Sequence, residues 1–200
     1  MEETIRKNKL SKSMAKISKK ESILETALEL FATQGVAKTS TSQITKAAGV
    51  AEGTLYVHFK NKQALVDALY ISVKKNEAEA FSTVIDFKKD AETNVRALSK
   101  KVMAHFSENY KELLFIEHVN QLHLVSSEAL AKGNNHFSEI SKDMKLRQEN
   151  GEIKKLDIEI INGIVWSMLV FTIHYNKRNK NKKTDKTIDM IWDAIRSSQP

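Results

Sequence analysis

The chain has 200 residues, of which 41% are hydrophobic, so it is long enough to bury a sizeable core in one or two domains. Because it contains no cysteine, disulfides and cysteine-based zinc or thiol chemistry are excluded, and we expect a cytoplasmic protein. The first ten residues lack the apolar run of a secretory signal peptide, which agrees with that expectation. The net charge of +7 favours a polyanionic partner.

The positive charge is concentrated in two short segments. Residues 1–20 hold seven basic residues against two acidic ones, a net of +5. The segment Asn176–Lys186 holds six basic residues against one acidic residue, again a net of +5, so the rest of the chain carries −3. Residues 1–19 are predicted to be a basic, flexible arm. Each run is either a polyanion contact or a solvated stretch, and charge alone leaves both open.

Helical periodicity runs almost without interruption from residue 20, since the chain has six glycines and its one proline is Pro200. The first helix is predicted to end at Gly35, and a second begins at Thr41, where Ser40 and Gln43 have the spacing of a capping box. Asn61 is predicted to cap the next helix. The further predicted helices are Ala91–Tyr110, Glu112–Val125, Ser127–Gln148, Asp157–Tyr175 and Asp185–Arg196.

The stretch Thr41–Phe59 predicts two short helices that meet at a tight corner, Ala47-Ala48-Gly49. After the corner, Leu55 and Phe59 are four residues apart and would pack inward. Four residues around Leu55 would then face outward on the second helix: Gly53 and Thr54 before it, and Tyr56 and His58 after it. This is the arrangement of a helix that enters the DNA major groove.

The segment from Gly35 to Leu65, with Lys46-Ala47-Ala48-Gly49-Val50 and Gly53-Thr54-Leu55-Tyr56-Val57-His58-Phe59 at its centre, resembles the DNA-binding domain of the TetR family of bacterial transcriptional regulators. The resemblance covers roughly residues 20–70, about a quarter of the chain. It implies an all-α protein of about nine helices, in which a three-helix helix-turn-helix domain is followed by a helical ligand-binding and dimerisation domain. It also implies a homodimeric repressor that a small molecule releases from its operator.

The resemblance places DNA contacts at Ser40, Thr54, Tyr56, His58 and Lys62. Lys60 precedes the helix start at Lys62, where free backbone amides also favour an anion. Thr45 departs from the alanine usual in the family, so its hydroxyl either faces the phosphate backbone, which we expect, or slightly loosens the helix pair. Glu52 opens the second helix and either complements the helix dipole or accepts a hydrogen bond from cytosine. The full predicted DNA-binding set is Ser40, Thr41, Thr45, Glu52, Gly53, Thr54, Tyr56, His58, Lys60 and Lys62.

From Glu21 to Lys62 four lysines are balanced by four glutamates, so the helix-turn-helix segment is electrically neutral. Long-range attraction to DNA should therefore come from the basic arm, which could follow a phosphate backbone or enter the minor groove. The alternative is a tail without a role in binding.

No catalytic, cofactor or metal pattern is present in the sequence, and we expect neither an enzyme nor a metalloprotein. His118 and His123 are five residues apart, about 140° around a helix, and cannot share a metal as an i, i+4 pair does. The helices after residue 90 mix apolar and polar residues in a way that suits a largely apolar pocket or an ordinary core. The candidate effector-binding residues are Phe106, Tyr110, His118, Gln121 and Trp166.

The segment Ile158–Ile173 is apolar nearly all round, so it is predicted to pack on its own subunit on one side and on a partner on the other. A membrane span is not expected, because the stretch is shorter than about 20 apolar residues and contains Glu159 and Asn162. With the last helix it should form a four-helix dimer interface. The predicted interface residues are Ile164, Ser167, Met168, Phe171, Ile188, Ile191, Trp192 and Ile195.

These observations predict three parts, the arm (1–19), a helix-turn-helix DNA-binding domain (20–66) and a regulatory domain (67–200). The predicted partners are a double-stranded DNA operator, a second copy of the chain and a small, largely apolar effector. The alternative is a helical protein that binds polyanions or membrane surfaces through charge alone, without sequence specificity. The basic segment Asn176–Lys186 is expected to be a solvated loop, with contact to anionic lipid or flanking DNA as its alternative.

Overall fold

The structure is a computed structural model and describes residues 18–180 and 182–197. In this part of the chain 75% of the residues are helical, and they form ten helices, where about nine were expected. No strand occurs there beyond an isolated bridge between Ile153 and Arg196. The basic arm predicted for residues 1–19 lies almost wholly outside the described residues. The helices are α1 (Lys19–Gln34), α2 (Thr41–Ala47), α3 (Glu52–His58), α4 (Lys62–Ser82), α5 (Ala91–Glu108), α6 (Tyr110–Gln121), α7 (Ser127–Asn135), α8 (Ser138–Glu149), α9 (Ile158–Arg178) and α10 (Thr184–Ile195).

The helices group into two compact units. Of the described residues, the N-terminal unit contains those up to Leu69 and the later segment Leu114–Val125, and the C-terminal unit contains Tyr70–Leu113 and those from Ser126 onward. This division differs from the predicted boundary at residues 66 and 67, because Leu114–Val125 packs with the helix-turn-helix helices. Phe115 stacks on Phe31 with ring centroids 6.1 Å apart, and His118 Nε2 accepts a hydrogen bond from the Val36 N–H at 3.2 Å.

The predicted capping of the first helices is confirmed. Ser18 and Glu21 form a capping box at α1, and Ser40 and Gln43 form the predicted one at α2, with the Gln43 N–H donating to Ser40 Oγ at 3.1 Å. Gly35 ends α1 at φ 82°, a conformation that residues with a Cβ rarely adopt. The buried face of this unit includes Ile23, Phe31, Ile44, Leu55 and Phe59.

The predicted corner between α2 and α3 is also present. Gly49 takes φ 67°, and the Val50 N–H donates to the Thr45 carbonyl at 3.0 Å, which turns the chain directly after α2. On the far side of α3, the Ala64 N–H donates to Asn61 Oδ1 at 2.9 Å, so Asn61 caps α4 as predicted.

The C-terminal unit has a core built by α5, α9 and α10, with Phe106, Leu113, Ile161, Ile188 and Ile191 fully buried. The prediction of one helix over Ser127–Gln148 is wrong, because α7 ends at Asn135 and α8 begins at Ser138. Gly133, Asn134 and Asn135 are weak helix formers at this point. Gly133 is also buried, since a Cβ there would lie 2.6 Å from Cε1 of the Tyr70 ring.

Helix α9 is longer than predicted and includes the first three residues of the basic segment, Asn176–Arg178. At 21 residues and a mean hydropathy of 1.4 over its most apolar window, it is long and apolar enough to span a membrane, with 28% of that window buried in the chain. By length the whole helix is sufficient for a span, whereas the prediction concerned the shorter apolar stretch Ile158–Ile173 within it. The same properties describe a helix that is covered by a partner subunit.

Candidate nucleic-acid interface

Helix α3 is held in the N-terminal unit by one fully buried side chain, Leu55, while the following Phe59 packs just after its end. Tyr56 and Val57 lie on the opposite side of the helix and are 50% and 80% exposed. His58 is exposed beside them. The short helix therefore presents a continuous polar and apolar face that the chain itself leaves uncovered.

Gly53 in the first turn of α3 has no packing role in the fold. A Cβ added there would meet no atom within 4 Å, and its φ is not positive. A glycine inside a helix costs about 1 kcal/mol relative to alanine, so the missing side chain is unfavourable for the fold. The fold of the described residues therefore gives no reason for a glycine at this point.

A recess of about 410 Å³ lies beside α3 and gathers four of the predicted residues, Ser40, Thr41, Tyr56 and Lys62. The hydroxyls of Tyr56 and Thr41 are 3.2 Å apart, so each fixes the position of the other. Lys38 and Lys62 supply positive charge, and partial burial lowers the pKa of Lys62 below its ordinary value. Hydroxyls flanked by ammonium groups suit the non-bridging oxygens of a phosphate.

Three further predicted residues, Glu52, His58 and Lys60, are exposed on or next to α3, and Thr54 is half-buried. Glu52 stands in the first turn of α3, whose N-cap residue Ala51 makes no side-chain hydrogen bond. Its carboxylate therefore complements the helix dipole. Ser40 Oγ accepts the capping hydrogen bond from the Gln43 N–H, which fixes its position and leaves its O–H able to donate.

Thr45 is a correction to the predicted set. It is only 3% exposed, and its hydroxyl donates to the Ser42 carbonyl one turn earlier at 3.1 Å. The side chain satisfies its own hydrogen bond inside the helix pair and does not face a phosphate.

Lys38 and Val57 belong to the same surface but were absent from the predicted set. Lys38 lines the recess, and its signal in the sequence was a basic residue two positions before the Ser40 cap. Val57 was overlooked because only the polar residues between Leu55 and Phe59 were considered. An exposed valine on such a face is suited to a thymine methyl group.

The predicted dimer residues divide into two groups. Ile164, Ser167 and Phe171 are exposed on α9, with Phe171 at 66%, and Met168 is half-buried. Ile188, Ile191 and Ile195 are corrections, because they are buried in the core of their own chain and cannot meet a partner. Trp192 is partly buried against that core. On α10 the large hydrophobic residue left exposed is Met190, at 61%.

Gly163 on the exposed side of α9 resembles Gly53, since a Cβ added there would also meet no atom within 4 Å. The Ser167 hydroxyl donates to the Gly163 carbonyl at 2.8 Å, so it needs no other partner. Two small residues one turn apart permit close approach of another helix.

The five candidate effector residues do not form one site. Trp166 lines a cavity of about 460 Å³ in the C-terminal unit, and Phe106 is buried behind it in edge-to-face contact, with ring centroids 5.6 Å apart. Tyr110 lines a different cavity of about 400 Å³, and its hydroxyl lies 2.7 Å from His174 Nδ1. His118 and the exposed Gln121 belong to the N-terminal unit.

Within residues 18–180 and 182–197 there is no group of three or more histidine, aspartate and glutamate side chains that could hold a metal ion. The structure thus offers the exposed face of α3, its neighbouring recess and the uncovered face of α9 as the principal surfaces for partners.

Comparison with known proteins gives matches to bacterial transcriptional regulators in both sequence and structure. Residues 23–69 match the family model of bacterial regulatory proteins of the tetR family. The HTH-type transcriptional regulator SrpR of Pseudomonas putida is 22% identical over 178 residues, covering 87% of this chain and 84% of that protein. The fatty acid metabolism regulator protein of Bacillus subtilis (strain 168) is 30% identical over 143 residues, covering 72% of this chain and 64% of that protein.

A solved structure from Shewanella sp. PV-4, described as a tetR family transcription regulator, is similar over nearly its whole length. It has a TM-score of 0.80 and 25% sequence identity, and the match covers 90% of this chain and 98% of that one. The similarity therefore extends through the C-terminal helices, well beyond the matched segment 23–69.

Proposed function

Because the chain belongs to the TetR family of bacterial transcriptional regulators, which are DNA-binding proteins and not enzymes, we propose that it is a homodimeric repressor of a palindromic operator. A small effector, largely apolar, binds the C-terminal unit and releases the DNA. The observation that carries the proposal is the uncovered face of α3, with Gly53, Tyr56 and Val57 beside a recess that contains two lysines.

The DNA contacts in this proposal have two parts. The recess holds a phosphate between Lys38, Lys62 and the Tyr56 and Thr41 hydroxyls, which positions the protein without sequence preference. Thr54, Val57 and His58 contact base edges in the major groove, with Gly53 allowing the backbone close to the duplex.

Dimerisation in this proposal uses α9 and the exposed face of α10. Ile160, Ile164, Phe171 and Met190 are large apolar side chains that a single chain leaves exposed. Covering them with the same face of a second copy gives an isologous interface, which sets two α3 helices in the two-fold arrangement that a palindromic site requires.

The test is a fluorescence-anisotropy titration of the protein against the duplex upstream of its own gene, with a scrambled duplex of equal length at the same salt concentration. We expect the native duplex to bind about a thousandfold more tightly. Tyr56→Ala should lower the affinity, because it deletes one wall of the recess that holds the phosphate, and His58→Ala should remove most of the preference, because it deletes a proposed contact to a base edge. Lys142→Ala, a change of an exposed lysine on α8, serves as the matched control and should leave binding unchanged.

The alternative, a protein that binds polyanions through charge alone, predicts equal affinity for both duplexes and loss of both complexes at high salt. It also predicts that Tyr56→Ala binds as well as the parent protein. Either result, repeated with operators obtained by selection from genomic fragments, would contradict the proposal.

A further inference from the structure

The cavity of about 460 Å³ in the C-terminal unit has mostly apolar walls with one charged pair among them. Its aromatic residues are Phe81, Phe137 and Trp166, from α4, the α7–α8 connection and α9. The charged pair is Lys74 and Glu77, both on α4. A cavity of this size and lining can bury a small organic molecule.

Glu77 is 1% exposed, and burial raises the pKa of its carboxyl group, an effect that the neighbouring Lys74 ammonium opposes. Its Oε2 accepts a hydrogen bond from Lys74 Nζ at 2.6 Å. Among the described residues, Glu77 Oε1 is the buried side-chain oxygen that has no hydrogen-bond partner. A buried acceptor left in this state is unfavourable, so a donor that reaches it from the cavity would be bound strongly.

Lys74 does not present an equivalent free group. Its ammonium is paired with Glu77 and also lies over the Phe137 ring, 4.4 Å from the ring centroid. Both interactions satisfy a cation, the second through the negative face of the ring. The unsatisfied atom of the pair is therefore an acceptor, and it belongs to a residue that lines this cavity.

The charges around the cavity favour the same ligand chemistry. Its lining holds one lysine, Lys74, against two glutamates, Glu77 and Glu159. Behind Glu77, the Nε2 of His105 lies 2.9 Å from Glu112 Oε2, so that pair is occupied with itself. Aromatic rings beside an anionic site attract cations through charge and through their ring faces.

We propose that this cavity binds an apolar, preferably aromatic, amine, whose protonated ammonium group donates to Glu77 Oε1 while its carbon skeleton lies among Phe81, Phe137 and Trp166. The inference rests on the proposed function, since it names the chemical class of the effector that would release the DNA. It concerns this chain's own Lys74 and Glu77 and refines the largely apolar effector expected from the sequence.

The experiment compares three probes that share one carbon skeleton and differ in the terminal group, phenylbutylamine, phenylbutanol and phenylbutyrate. Isothermal titration calorimetry of the full chain, without DNA, measures each dissociation constant. We expect the amine to bind about tenfold or more tightly than the alcohol, and the acid to bind most weakly. Equal binding of the three probes, or tightest binding of the acid, would overturn the proposal.

Two variants locate the charge that matters. Glu77→Gln should weaken amine binding by about tenfold or more and leave alcohol binding unchanged, because it removes the charge but retains the shape. Lys74→Met should leave the amine bound more tightly than the acid, whereas a site for acids would lose its ligand. Unchanged amine binding in Glu77→Gln, with circular dichroism confirming a folded protein, contradicts the proposal. If Glu77→Gln does not fold, the effect of Lys74→Met decides the question in the same way.

The calorimetric result is independent of DNA binding, so the two proposals fail separately. If the protein binds the amine through Glu77 but shows no preference among duplexes, the ligand site is supported and the proposed function is contradicted. If the protein prefers its operator but binds the amine no more tightly than the alcohol, the proposed function is supported and this inference is contradicted. Release of the operator by the amine, absent in Glu77→Gln, is expected when both are correct.

Discussion

Helices α3 and α9 share two features that indicate a missing partner, a glycine without a packing role and an exposed apolar side chain, but they differ in the charged residues nearby. Each has a glycine for which the chain gives no packing reason, Gly53 and Gly163, and each exposes a large apolar side chain, Val57 at 80% and Phe171 at 66%. Around α3 stand Lys38, Lys60 and Lys62, whereas residues 160–171 of α9 contain no charged residue.

This difference indicates what each surface is complementary to. An uncovered helix among lysines suits a polyanion whose grooves admit small and apolar groups. An uncovered helix that has no charged residue over a dozen positions suits another apolar helix. A charged partner surface would lose its hydration in such a contact without gaining an ion pair, which is unfavourable. Exposure alone does not distinguish a surface for a polyanion from a surface for another helix, whereas the neighbouring charges do.

The largest effect is expected from a charge placed on the α9 face. Phe171→Asp should weaken the dimer about a hundredfold or more, because an unpaired carboxylate would be buried at the subunit contact. Sedimentation equilibrium measures the dissociation constant. Phe87→Asp, which changes an exposed phenylalanine away from α9, is the control and should leave the dimer intact. A dimer of undiminished strength in Phe171→Asp would place the subunit contact elsewhere.

The two glycines allow the comparison to be tested with matched changes. Gly53→Leu should reduce operator affinity about tenfold or more without changing dimerisation, and Gly163→Leu should weaken dimerisation first. Gly53→Leu should not lower the melting temperature, since leucine is the better helix former by about 0.8 kcal/mol and a Cβ meets nothing there, whereas Gly163→Leu should lower it only through the weaker dimer. Anisotropy, sedimentation and thermal unfolding of both variants separate these outcomes. Loss of stability in Gly53→Leu would show that this glycine serves the fold.

The sequence predicted the first helices well because their signals are local. Ser40 and Gln43 are three residues apart, and Gly49 directly follows the helix that it ends, so spacing alone located both. The family resemblance then identified most residues of the α3 surface. Thr45 was misplaced because the orientation of one hydroxyl depends on which carbonyl is nearest in three dimensions.

The C-terminal unit was predicted less well because its features depend on contacts between distant residues. The packing of Leu114–Val125 with the N-terminal unit requires Phe31 and Val36, about 80 residues earlier in the chain. Ile188, Ile191 and Ile195 have the same spacing whether they face their own core or a partner, so periodicity could not separate the two. The sequence shows Lys74 and Glu77 only as an i, i+3 pair of opposite charge, and their burial beside a cavity is visible only in the structure.

The arm offers a smaller effect that sharpens the charge argument. Deletion of residues 1–17 removes five basic and two acidic residues and keeps Ser18, which caps α1. We expect affinity to fall on native and scrambled duplexes alike, and the slope of log K against log salt to become shallower by about 2–4. Replacement of the five basic residues by glutamine should reproduce the result. An unchanged slope would mean that attraction to DNA arises in the neutral helix-turn-helix segment alone.

The smallest expected effect concerns the polar junction that supports the C-terminal unit. Glu152 accepts from the Ala91 N–H at 2.8 Å and from Arg147 Nη1 at 3.2 Å. Burial opposes ionisation of this carboxylate, but the hydrogen bonds from Ala91 and Arg147 outweigh it, and its pKa is lowered. Its contribution to stability is therefore present above the ordinary pKa of a glutamate and is lost as the pH falls through the lowered value.

Glu152→Gln should accordingly lower the melting temperature at pH 7 by about 2–4 °C, the equivalent of about 1 kcal/mol, and the gap to the parent protein should close in acid. Glu149→Gln, a change of an exposed residue three positions earlier, controls for the loss of one negative charge. A gap that persists at low pH would assign the effect to the shape of the side chain. A gap that closes ties the stability of the unit to one carboxylate, because the backbone N–H at the start of α5 has no helical partner and depends on an acceptor from the chain after α8.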